Sequence, residues 1–153
     1  MSLDLIFERT TSLPVDKLWQ AWTDPNTLMK WFCPRPWRVV DARLDLRPGG
    51  EFYTLMQSPE GQSFPNNGCY LEIVPQKKLV WTNMMAAGFR PIEDAKMGFP
   101  FTGTLSFEKG ANGTIYKAVV AHADEQGRKK HEQMNFQEGW GIAFSQLVEL
   151  FQT

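Results

Sequence analysis

The sequence predicts an α+β domain in which a curved antiparallel sheet of six to seven strands wraps one long C-terminal helix, with two short helices after the first strand. Three observations carry this. Trp140, Phe144, Leu147 and Phe151 recur at steps of four, three and four within Gln137 to Phe151, with Gly141 and Val148 on the same side, the period of an amphipathic helix. Most segments before it alternate with a period of two, so the apolar face of that helix has a sheet to bury against. Prolines and capping residues after the first strand mark two short helices.

Leu3 to Leu13 alternates loosely and ends in Thr10, Thr11 and Ser12, which reads as a strand entering a turn. Pro14 suits the first position of a helix and Asp16 its first turn; Val15, Leu18, Trp19 and Trp22 follow at i, i+3, i+4 and i+7. Thr23-Asp24-Pro25 ends that helix and caps a second, shorter one whose buried side is Leu28, Met29 and Phe32, before Cys33-Pro34-Arg35-Pro36 stops it. From Trp37 the period becomes two, with Val40, Ala42, Leu44 and Leu46 facing inward against Asp41, Arg43, Asp45 and Arg47. Pro48-Gly49-Gly50 turns the chain into a strand over Glu51 to Gln57, and Ser58 to Gly68, rich in proline, glycine and asparagine, reads as a loop. Cys69 to Val74 and Leu79 to Met84 form a hairpin across residues 75–78.

Met85 to Pro100 follows neither period and reads as a long loop, a length uncommon in a compact domain unless the loop works as a lid or is disordered. Met85, Phe89, Met97 and Phe99 are the lid residues, able to lie on an apolar ligand. Phe101, Gly103, Leu105 and Phe107 alternate with Thr102, Thr104 and Ser106, and Gly110 to Gly113 turns this strand back. On the last strand Tyr116, Ala118, Val120 and His122 share one parity; Lys117 belongs in water, so His122 faces inward. Asp124 caps a charged helix through Met134, and Asn135 is a left-handed stop before the final helix. Gly139 and Gly141 each cost about 1 kcal/mol in that helix, which calls for close approach to the sheet or for room beside a ligand.

A chain of 153 residues, 42% apolar, suits a single domain over 1–153. Its net charge of −1, without basic clusters, argues against nucleic acid and anionic membranes as partners. No stretch approaches the ~20 apolar residues of a membrane span, and the N-terminus lacks a secretory pattern, so the expected location is the cytoplasm. Cys33 and Cys69 fit reduced thiols. The 11 Phe, 6 Trp, 3 Tyr and 7 Met exceed what a minimal core needs and give either core or the walls of an apolar pocket.

Several of these segments resemble one family. Pro14 to Pro25 (PVDKLWQAWTDP), then Leu28 and Lys30-Trp31-Phe32, is similar to the N-terminal signature of the domain named after the activator of Hsp90 ATPase, the AHSA1-like domain. So are Arg47-Pro48-Gly49-Gly50-Glu51-Phe52, Leu79-Val80-Trp81-Thr82 and Glu138-Gly139-Trp140. The resemblance implies the START-like, Bet v 1-like helix-grip fold of the SRPBCC superfamily and a cavity between sheet and C-terminal helix that takes apolar ligands. The stretch by which the eukaryotic co-chaperone's separate N-terminal domain acts on Hsp90 has no counterpart here, so an Hsp90 interaction is not expected.

No metal spacing, nucleophile motif or phosphate-binding loop is present, and no cofactor is expected. The candidate ligand-binding residues are Trp37, Tyr70, Trp81, Phe101, Tyr116, His122, Trp140 and Phe144, with Asn83 and Glu138 near them. His122 is the one catalytic candidate, as a general acid or base or as the group that orients a ligand, although a lone inward histidine is more often a satisfied core group. The expected function is binding of a small hydrophobic or aromatic molecule as carrier, sink or sensor. A cyclase- or hydrolase-type enzyme using the same cavity, and a protein-interaction module, are the alternatives; a homodimer is left open.

Overall fold

The computed structural model describes residues 2–93 and 98–152. Among the described residues the elements follow in the order β1 (Asp4–Thr11), α1 (Val15–Thr23), α2 (Pro25–Leu28), β2 (Arg38–Leu44), β3 (Glu51–Gln57), β4 (Ser63–Val74), β5 (Lys78–Thr82), β6 (Met85–Ala86), β7 (Arg90–Pro91), β8 (Phe101–Gly110), β9 (Gly113–His122), α3 (Glu125–Gln133) and α4 (Phe136–Leu150). Seven strands form one antiparallel sheet ordered β1-β9-β8-β5-β4-β3-β2, and β6 and β7 pair separately. This is the helix-grip arrangement: α1, α2 and α4 lie on the concave face, where Phe7, Leu18, Trp22, Leu28, Leu79, Leu105 and Leu147 are buried in one core.

Local chemistry accounts for the helix ends. Asp24 accepts the backbone N–H of Thr27 at 3.2 Å to cap α2, with Pro25 in the first position. Asp124 accepts from Gly127 N at 2.8 Å to cap α3, and Asn135 takes the left-handed conformation (φ 61°) between α3 and α4. Gly49, at φ +83°, provides the turn between β2 and β3.

The structure corrects the sequence reading of several elements, and Leu46, read as inward, is 38% exposed. In β2, Val40 is the extra residue of a bulge between Val39 and Asp41, so Val39 is buried at 6% exposure while Val40 faces out at 38%. Residues 63–68, read as loop, are the first half of β4, pairing Ser63 to Gly68 with Gln57 to Phe52. Pro65 is tolerated there because β5 pairs only with Cys69 to Val74, leaving the earlier residues a strand on one side alone. The segment read as an unstructured lid contains the β6–β7 hairpin. The glycines of α4 also differ from one close-approach explanation: a Cβ on Gly141 would touch Phe7 at an ordinary 3.9 Å, and one on Gly139 would meet nothing within 4 Å.

Candidate functional site

The inward positions of the sheet and the concave faces of the helices converge on a continuous aromatic interior. Tyr70 on β4 stacks on Phe52 of β3, with centroids 5.0 Å apart and planes 11° apart. Phe52 meets Trp81 of β5 at 5.5 Å, and Trp81 meets Trp22 of α1 at 5.5 Å. Trp81 fits because it lies over Gly103 of β8, where a Cβ would stand 2.8 Å from its ring. Trp22 reaches Trp31 at 5.1 Å and Trp140 of α4 at 6.0 Å, and Tyr116 of β9 packs on Phe144 at 4.7 Å.

Polar groups in this interior are few. Trp22 Nε1 donates to the Tyr116 hydroxyl at 2.9 Å, and Trp31 Nε1 to the Ala21 carbonyl at 3.0 Å. The Tyr70 hydroxyl is different: the residue is fully buried and its oxygen has no hydrogen-bond partner. Burial, with the charge of Asp45 as a smaller contribution, pushes its ionisation above the usual phenol range, so the proton stays on. Burial raises Tyr116 likewise, against the lowering effect of the Trp22 N–H.

Of the sequence-predicted ligand residues, Tyr70, Trp81, Tyr116, Trp140 and Phe144 are brought together here. Trp37 is not: it stands at the surface, 38% exposed, with its ring 5.4 Å from that of Phe64, because it precedes the bulged strand and lies on the outer side. Glu138 is exposed on α4, and Asn83 pins the start of β8, accepting from Phe101 N and donating to Phe99 O at 2.9 Å each.

Phe101 and His122 belong to a second cluster around His131, two residues along β8 and β9 from Gly103 and Val120. The parity argument gives the facing of His122 correctly, and the side chain is buried at 7% exposure. Its two nitrogens, however, are taken by the protein. Nδ1 lies 2.9 Å from the Leu3 carbonyl, which can only accept, so Nδ1 carries a proton; Nε2 lies 2.9 Å from His131 Nδ1. In the neutral pair His131 Nδ1–H is therefore the donor to His122 Nε2. The His131 ring is caged by Phe99 at 4.6 Å, Phe136 at 5.1 Å and Phe101 at 6.0 Å. Burial first, and the charge of His122 second, bring its pKa down to about 4.

Of the lid residues, Met85 is half-buried in β6, Phe89 is 47% exposed with its ring over Gly49, and Phe99 is buried at 2%. Met97 lies outside the described residues. The hairpin touches the interior indirectly: Gly88 N donates to Gly49 O at 2.7 Å, and Gly49 N to Tyr70 O at 2.7 Å.

Two clefts stand out among the described residues, and neither of these lies between the sheet and α4. One of about 460 Å³ is formed by residues 10–12 and 110–115, and one of about 260 Å³ by residues around Thr82, Phe101 and His122. Among the described residues no group of three or more His, Cys, Asp and Glu could hold a metal ion, and no helix is long and apolar enough to cross a membrane.

Sequence reasoning missed three residues. Phe52 looked like any strand aromatic, and His131 like part of a charged helix surface. Gln146 carried a usable signal, a polar residue inside the apolar stripe of α4. Its amide donates to the carbonyls of Trp31 at 3.0 Å and Cys33 at 2.9 Å and accepts from Arg35 N at 2.9 Å, strapping the segment after α2 to α4. Cys33, next to this strap, is raised by burial to about 11, an unreactive thiol.

Comparison with known proteins places this architecture. The family model for activator of Hsp90 ATPase homolog 1-like proteins matches residues 12–152. A crystal structure of a protein from Nitrosomonas europaea is 44% identical, with a TM-score of 0.91 over 97% of this chain and 93% of that one. A protein from Mycobacterium smegmatis shares the fold at 23% identity and a TM-score of 0.82, covering 99% of this chain and 92% of the other. An AHSA1-like protein from Aeromonas hydrophila does so at 17% identity and 0.71, covering 95% and 90%. No curated protein matches the sequence. The family match, spanning nearly the whole helix-grip scaffold, makes this chain a member of the activator of Hsp90 ATPase homolog 1-like family.

Proposed function

We propose that the protein binds a small hydrophobic molecule in the aromatic interior between the sheet and α4, at the end where Tyr70 lies. The observation that carries this reading is the Tyr70 hydroxyl, fully buried among aromatic rings and without a partner. An unsatisfied buried polar group costs about 1 to 3 kcal/mol, so each exception in a native structure calls for a cause, here a ligand group that completes the bond. The surrounding rings of Phe52, Trp81 and Trp22 offer the mostly apolar, sparsely polar surface typical of ligand sites. Entry is by displacement of the β6–β7 hairpin, which rests on Gly49 through Phe89 and is joined through Gly49 by two hydrogen bonds to the Tyr70 carbonyl; Met85 and Phe89 act as the closing side chains. Binding is favoured over catalysis because both nitrogens of His122 are engaged by Leu3 and His131.

A second reading has one observation behind it. Trp37 and Phe64 form an aromatic ledge 38% and 44% exposed, suited to contact with a protein, including a second copy of this chain. Native mass spectrometry of the protein purified from its host separates the two. A retained small molecule on a monomer is expected. An apo monomer, joined to absence of any chemical-shift change at Phe52, Tyr70 and Trp81 on addition of naphthalene, would overturn interior binding.

A further inference from the structure

We propose that the molecule held in this interior is neutral and presents a hydrogen-bond acceptor, such as a carbonyl oxygen, to the hydroxyl of Tyr70. The inference rests on the interior-binding reading above and specifies the chemistry of its ligand.

The polar inventory of the interior sets the complement. Tyr70 O–H has no acceptor. Tyr116 accepts from Trp22 Nε1, and its own O–H has no acceptor among the described residues. Nearby side-chain acceptors are already used: Gln146 Oε1 by Arg35, Asn83 Oδ1 by Phe101 N and Thr82 Oγ1 by Met84 N. Thr54, inward on β3 and 2% exposed, can play either role. The phenols thus supply donors, and a ligand that supplies an acceptor satisfies Tyr70 without stranding a group of its own.

Charge is excluded on independent grounds. Among the described residues no Asp, Glu, Lys or Arg is buried, so an ion carried inside would meet no counter-charge. Asp45 does not serve a cation, because its carboxylate is 46% exposed and bound to Arg47 at 2.8 Å. Tyr70 stacks on Phe52, with planes 11° apart, so the hydroxyl is flanked by aromatic surface that suits an aromatic ligand.

Three diaryl probes test this. Benzophenone carries a carbonyl where diphenylmethane has a methylene, and 4-benzoylbenzoate adds a carboxylate. Isothermal titration should give benzophenone a Kd about 2- to 12-fold lower than diphenylmethane, the range of one hydrogen bond. In Tyr70→Phe, which keeps the ring, the ratio of the two Kd values should fall to about one, whatever the absolute affinity of the variant. The carboxylate probe should bind at least about 10-fold more weakly than benzophenone. Equal binding of the two neutral probes to the wild type, a preference that survives in Tyr70→Phe, or tightest binding of the carboxylate would overturn the proposal and leave interior binding standing. Failure of both neutral probes to bind overturns the interior reading and this proposal with it.

Discussion

Replacing Gln146 by Leu tests whether a single amide holds α4 to the rest of the fold. Gln146 is 8% exposed, and its carboxamide serves the Trp31 carbonyl, the Cys33 carbonyl and the Arg35 N–H. Leucine fills similar space and suits a helix, so packing and propensity change little. What is lost is the partner of two buried carbonyls and one half-buried N–H. Each orphaned group costs about 1 to 3 kcal/mol when water cannot reach it, and the outermost, at Arg35, is partly rehydrated. A loss of about 3 kcal/mol follows, which for a domain of this size lowers Tm by roughly 6 to 12 °C. Gln146→Glu should be worse, because a buried carboxylate would face two carbonyl oxygens. Urea unfolding followed by circular dichroism and by tryptophan fluorescence measures both variants. A Gln146→Leu protein within about 0.5 kcal/mol of wild type would refute the strap, since that is the scatter of neutral surface changes.

Tyr70→Phe should stabilise the ligand-free protein by about 1 kcal/mol, because it removes an unpartnered buried hydroxyl and keeps the ring; a destabilised variant in thermal unfolding would mean the hydroxyl has a partner after all. His131 gives a pH dependence with a definite sign. Its folded pKa of about 4 lies below the unfolded value of 6.5, so the unfolded chain binds the extra proton between them, and stability present above pH 6.5 is lost as pH falls toward 4. His131→Asn should flatten that part of a denaturation series against pH, and an unchanged slope would contradict the assignment.

How much of this was legible in the sequence depends on where the deciding contact lies. The β9 facing follows from local parity, and Lys117 alone was enough to orient Tyr116 and His122 correctly. The caps at Asp24 and Asp124 and the stop at Asn135 are short-range chemistry, and all three stand where residue type puts them. Val40 was misread because a bulge reverses facing without any mark in composition. Pro65 looked like a loop residue because the sequence does not tell which stretch of a strand lacks a second neighbour. The same limit governs the site. That His122 faces inward was readable; that Leu3 and His131 occupy both its nitrogens required partners 119 and 9 residues away. The isolation of the Tyr70 hydroxyl is a property of everything around it, and no motif announces it.

The most direct test of the central claim is to locate a bound apolar molecule. An isotope-filtered NOESY experiment on labelled protein saturated with naphthalene reports which protons the molecule touches. Cross-peaks to the rings of Phe52, Tyr70 and Trp81 are predicted, because these line the interior at its unsatisfied hydroxyl. Cross-peaks confined to Trp37 and Phe64 on the outer ledge, or to Met84 and Ala123 in the cleft beside His122, would contradict the account.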